Sequence, residues 1–195
     1  MTQVTRSDGV ASNGRLPHLS GPAAAVRQVL AAHFLQGCRH ILEIGGAGLP
    51  ITGFVRHAPE TVTVIDPKIE AFEDQELDGR LCRVRHIPRK FQAAQFDSNL
   101  PSLGVALLGL SLKPLGGRGA VNDELIGVLR RATVAVIDYS LNLPRAVGQA
   151  PVLIEATGLR RVVSIDLDMR DGALEAAGHG RRRFLVLAPP ASDMS

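Results

Sequence analysis

A chain of 195 residues with 45% hydrophobic and 21% charged side chains has the size of one domain, able to bury roughly 70% of the surface its unfolded form exposes. Composition near the globular average excludes disordered and fibrous classes, and a net charge of +3 is too small by itself to demand a polyanionic partner. No apolar run approaches the roughly 20 residues that cross a bilayer, and the opening MTQVTRSDGVASNGR has no apolar signal core, so a cytoplasmic protein is expected.

Residues 1–19, rich in Ser, Gly, Asn and Thr, read as a flexible tail. Residues 20–190 form the expected domain, and 191–195 a frayed end. Pro22 opens a helix in which Val26, Val29, Leu30, His33 and Phe34 recur at helical spacing until Gly37 stops it. His40–Ile44 and Thr61–Ile65 are short apolar strands, and a helix opening over Pro50–Arg56 would make them a βαβ unit with parallel strands.

Further strands are expected at Arg80–His86, Val105–Leu110 and Thr133–Asp138, with a helix over Asn122–Arg131. Pro144–Thr157 is a helix closed by Gly158. Arg161–Leu167 and Arg183–Leu187 are strands too close in sequence for a crossover helix, so they pair antiparallel. The whole reads as a three-layer α/β Rossmann-like domain with a seven-stranded, mostly parallel sheet whose last strand is antiparallel.

Chemistry concentrates after the first strand, in Ile41-Leu42-Glu43-Ile44-Gly45-Gly46-Ala47-Gly48-Leu49-Pro50. Glycines there allow positive φ and close approach of a ligand to the backbone. Asp66 follows at the end of the next strand, where a carboxylate can accept hydrogen bonds from both hydroxyls of a ribose.

The acidic-x-Gly turn, the acidic end of the second strand and the terminal antiparallel pair resemble the class I S-adenosylmethionine-dependent methyltransferases over roughly residues 22–190. The resemblance implies S-adenosylmethionine as cofactor. It places Gly45, Gly46 and Gly48 against the methionine and ribose, Glu43 as organiser of the turn and Asp66 as ribose acid. The family's second and third glycines fall here on Ala47 and Leu49, and no acid closes Arg80–His86 to hold adenine. Phe91, a candidate ring contact in the segment that follows, is better explained as core packing.

Ligands of open parallel sheets lie at the carboxyl ends of the strands. That selects Ser111 and Lys113 beside the acceptor, and Asp138 or Tyr139 as a base where the nucleophile carries a proton. Arg181 and Arg182, with Arg183 and His179, are expected at the rim, suited to an anionic small molecule. Structural readings stand beside these: Asp138 as partner of an arginine, and Asp166 and Asp168 as neutralisers of the arginine run.

A dinucleotide-binding oxidoreductase fits less well, since Ile51 stands where GxGxxG needs its third glycine. The arginine groups at 83–90 and 181–183 leave an RNA-binding enzyme open, but a chain with no Trp and one Tyr offers few stacking platforms. A non-catalytic binder on the same fold is the other alternative. The six histidines lack metal-ligand spacing, and Cys38 and Cys82 form no CxxC pair, so no metal is expected and both thiols read as buried. Oligomeric state is not encoded in any of these features.

Overall fold

The computed structural model describes residues 22–46, 48–108, 123–168 and 180–190. Among these residues, eight strands form one sheet: β1 His40–Gly45, β2 Thr61–Ile65, β3 Phe72–Leu77, β4 Arg80–Ile87, β5 Leu103–Leu108, β6 Val134–Ser140, β7 Arg160–Asp168 and β8 Arg181–Ala188. Their spatial order is β3-β4-β2-β1-β5-β6-β8-β7. The strands β4, β2, β1, β5 and β6 run parallel. β8 is antiparallel to both β6 and β7, so the terminal pair is antiparallel as its short connection requires.

Helix α1 (Pro22–Phe34) packs on one face of this sheet, and α2 (Asp123–Arg131) and α3 (Pro144–Thr157) pack on the other. Alternation along the central strands feeds both cores. Leu42, Ile44, Leu107 and Ile137 meet Leu125, Val128, Leu129 and Leu153 on the α2 and α3 side. Ile41, Val62, Val64, Leu108 and Val136 meet Ala31, Ala32 and Leu35 on the α1 side. Acids open α2 and arginines close it, matching the helix dipole. α3 ends at Gly158 in the left-handed conformation, φ +69°.

The structure departs from the sequence-based expectation in two places, both in crossovers. Between β1 and β2 there is only a 3-10 turn, Ile51–Gly53, instead of a helix over Pro50–Arg56. A helix there would have offered the core only Ile51, Phe54 and Val55, too few for the apolar stripe that holds a helix to a sheet.

The eighth strand, β3, is the second departure. It folds back on β4 as an antiparallel hairpin closed by Asp78 (φ +54°) and Gly79 (φ +74°). Positive φ at both central residues is the turn geometry that Asp-Gly favours and that matches strand twist. β3 reads FEDQEL and is exposed along nearly its whole length, so backbone pairing rather than burial holds it.

Candidate cofactor site

The parallel strands bring the ends of β1 and β2 together at one edge of the sheet. Glu43, fully buried near the end of β1, sends Oε2 across the glycine turn to accept the Ile51 N–H at 2.7 Å. Gly45 (φ +86°), Gly46 (φ +107°) and Gly48 (φ +87°) all adopt conformations unfavourable to other residues. A Cβ on Gly46 would fall on Glu43 Oε1 and lie 3.4 Å from the Leu49 carbonyl. The carboxylate therefore fills the space beneath a turn that only glycine can make.

Two further contacts fix the turn. The Gly46 N–H donates to the Leu108 carbonyl at 2.6 Å, tying it to β5. Gln28 of α1 donates Nε2 to the carbonyls of Gly46 (3.3 Å) and Leu49 (3.1 Å). Sequence reasoning missed Gln28; the available signal was a polar residue between Arg27 and the apolar positions of α1, on the face that α1 buries.

Burial pushes the Glu43 carboxyl up to about 8, with the charge of Asp66 adding to the rise and the Ile51 N–H and Arg27 opposing it. The folded protein therefore holds a proton that the unfolded chain, with a carboxyl near 4.5, releases over that interval. Stability contributed by this group is present at low pH and falls as pH rises from about 4.5 to about 8. Glu43→Gln should flatten that slope and make the variant more stable than wild type at pH 8, by a few kcal/mol at about 1.4 per pKa unit. Thermal denaturation of both proteins between pH 5 and pH 8.5 checks this; parallel curves would contradict it.

Asp66 follows β2 directly and is almost buried. Its Oδ1 accepts the Lys68 N–H at 2.7 Å, and its own N–H donates to the Ile87 carbonyl of β4. A cavity of about 850 Å³ runs from Gly48 and Pro50 past Pro67 and Lys68 to Phe72 and His86, within the range that small ligands occupy. It touches both the glycine turn and the segment after Asp66. At the end of β4, where the family resemblance expects an acid, His86 lies 3.4 Å from the Thr52 hydroxyl with its ring 5.1 Å from that of Phe72. Burial lowers its pKa, which favours the neutral ring. Phe91 is buried in the core and packs on Phe96, ring centroids 5.5 Å apart.

On the acceptor side the structure separates residues that the sequence grouped. Asp138 and Tyr139 are consecutive on β6 and therefore face opposite sides of the sheet. Asp138 points toward α1 with no exposure, taking Arg27 Nη1 at 2.9 Å and a two-pronged contact from Arg182, each arm 2.7 Å. Tyr139 lies under α3 and lines a separate cavity of about 390 Å³ with Pro151, Ile154 and Arg183. The expectation that Arg182 stands at the rim is corrected: it is 1% exposed and committed to Asp138.

Arg181 is exposed at the start of β8, in register with Asp168. Arg183 forms a bidentate pair with Asp166, at 2.6 and 2.7 Å, which holds that carboxyl below its usual range. Ala47, Ser111, Lys113 and His179 lie outside the described residues. No group of three or more His, Cys, Asp or Glu among the described residues is arranged to hold a metal ion.

No family model matches the sequence, and no curated protein matches it. Solved structures do. NodS, an N-methyltransferase from Bradyrhizobium japonicum WM9 crystallised with S-adenosyl-L-homocysteine, superposes with TM-score 0.57 at 14% identity, over 92% of this chain and 94% of that one. The 1,6-didemethyltoxoflavin-N1-methyltransferase of Burkholderia thailandensis, with 1,6-didemethyltoxoflavin and S-adenosylhomocysteine bound, does so with TM-score 0.54 at 13% identity, over 86% and 78%. The chain has the class I methyltransferase fold. Within this methyltransferase fold the site is framed by a 3-10 turn and a hairpin, and its glycine turn is held from beneath by Glu43 and from the side by Gln28.

Proposed function

We propose that the protein is an S-adenosylmethionine-dependent methyltransferase acting on a small molecule. One observation carries this reading: Glu43 beneath a turn with three positive-φ glycines, and Asp66 directly after the neighbouring parallel strand, share one edge of the sheet. The buried, unsatisfied Oε1 of Glu43 marks the turn as a place for a polar group close by. The two structural neighbours described above were crystallised with S-adenosylhomocysteine, and one also holds a small heteroaromatic substrate.

In this reading Gly45, Gly46 and Gly48 allow the cofactor to approach the backbone, Glu43 shapes the turn that faces its amino-acid end, and Asp66 accepts from its ribose hydroxyls. The bound cofactor supplies a methyl group on a sulfonium, which needs an in-line nucleophile more than an acid or base. The chain's part is orientation. Asp138, fully buried and committed to two guanidinium groups, is assigned no proton transfer. Ser111 and Lys113, which follow β5, and exposed Arg181 remain the proposed acceptor-side residues; Arg181 suits an anionic acceptor. A cytoplasmic site of action is part of the proposal, and no helix among the described residues is long and apolar enough to cross a membrane.

Calorimetric titration with S-adenosylmethionine, S-adenosylhomocysteine and NADH tests the reading. The first two should bind in the micromolar range and NADH should not, and Asp66→Ala should weaken S-adenosylhomocysteine at least tenfold, as loss of charged hydrogen bonds implies. Failure of all three ligands would sink it. Ala47 and Leu49 at two of the family's glycine positions, and the lack of an acid closing β4, favour one second reading, a binding protein that keeps the fold without transferring a methyl group; tight binding with no turnover across an acceptor screen would select it.

A further inference from the structure

Backbone polar groups that pack against a core need partners, and the destinations of those in the glycine turn, among the described residues, single out one side chain. The Gly46 N–H goes to Leu108, the Ile51 N–H to Glu43, the Leu49 N–H to the Gly46 carbonyl, and the carbonyls of Gly46 and Leu49 both accept from Gln28. Gln28 thus spans the turn from a helix that lies outside the β1 to β2 crossover. It is fully buried, and its Oε1 has no partner among the described residues. A buried glutamine with its oxygen unsatisfied carries a cost, so its amino group is the part that contributes.

The preceding residue sets the helix register. Arg27 is bonded to Asp138 on β6, which Arg182 of β8 grips in turn. Gln28 therefore reaches the turn from a fixed position rather than from a helix free to slide. We propose that Gln28 is a positioning residue for the cofactor: it holds the glycine turn open in the shape that receives the amino-acid end of S-adenosylmethionine. This rests on the proposed function above. The amino-acid end is indicated because Asp66 is proposed for the ribose one strand away, which leaves the unpartnered Oε1 of Glu43 beneath the turn for the polar amino-acid end.

The test compares wild type with Gln28→Ala and the nearly isosteric Gln28→Met, which keeps the volume but removes the donor that faces two carbonyl oxygens. Ligands are S-adenosylhomocysteine and 5′-methylthioadenosine, which keeps the adenosine but lacks the amino acid. Gln28→Ala and Gln28→Met should each weaken S-adenosylhomocysteine about tenfold, the scale of the lost hydrogen bonds. Both should change 5′-methylthioadenosine less than twofold. In the free protein, amide exchange at Leu49 and Ile51 should quicken in both variants.

Equal weakening of the two ligands, or none, would overturn the positioning role, as would unchanged exchange at the turn. If wild type binds neither ligand, the functional reading fails instead, and the exchange measurement alone still decides whether Gln28 shapes the turn.

Discussion

Asp138→Ala should cost this protein about 3–5 kcal/mol of stability, the range for removing one member of a buried ion pair. At a few degrees per kcal/mol for a domain of this size, the midpoint of thermal unfolding should fall by roughly 10 °C or more. The reason is the company Asp138 keeps. With no exposure, it is the carboxylate on which two nearly buried arginines, Arg27 and Arg182, converge. Removing it leaves two positive charges facing each other away from water, where neither can be solvated at reasonable cost.

Asp138→Ala combined with Arg182→Met should recover part of the loss, because the residual charge is halved and the methionine refills the volume. Differential scanning calorimetry of the single and double variants separates this account from the sequence-based one. A variant that keeps its wild-type midpoint yet loses methyl transfer a hundredfold would restore Asp138 as a base and refute the ion-pair reading.

The same residue shows how far the sequence could be read. That Asp138 lies near the carboxyl end of β6 follows from apolar runs and topology, and so does the pairing of β7 with β8. Which face Asp138 takes depends on strand register, and a shift of one residue exchanges it with Tyr139. Its partners lie 111 and 44 positions away, on α1 and β8. No local pattern links them. The sequence groups Arg182 with Arg181 and Arg183 at the rim, yet alternation along β8 buries the middle one and leaves its neighbours to Asp166, Asp168 and solvent.

The glycine turn was legible because its chemistry is local: Glu43, the glycines and the Ile51 N–H lie within nine residues of chain. The β3 hairpin was legible in principle. Asp78-Gly79 is the strongest short-range hairpin signal, but the flanking Phe72–Leu77 lacks the apolar alternation by which strands are found, and an edge strand paired on one side does not need it. The missing helix after β1 was the opposite error, since the alternation of strands along the chain suggested a crossover helix that its own residues could not bury.

Gly46→Ala should abolish cofactor binding, by at least a hundredfold in S-adenosylhomocysteine affinity, while leaving the sheet folded. Two costs add. A side chain at φ +107° is strained wherever it sits, by about 1–3 kcal/mol. Here the new methyl group also falls on Glu43 Oε1. The carboxylate cannot simply move away, because its other oxygen holds the Ile51 N–H and the side chain is fully buried. Displacing it would strip that N–H of its partner and open the turn that Gln28 and Leu108 hold from either side.

Gly53→Ala supplies the control, because a Cβ there meets nothing within 4 Å and its φ is ordinary. It lies in the same crossover and on the wall of the same cavity, so it should bind S-adenosylhomocysteine within about twofold of wild type. If both variants bind alike, the shape of the turn does not set affinity, and the cofactor must be held chiefly through Asp66 and the walls beyond it. If only Gly46→Ala fails, the packing of Glu43 against a residue without a side chain is what makes the end of β1 a binding site.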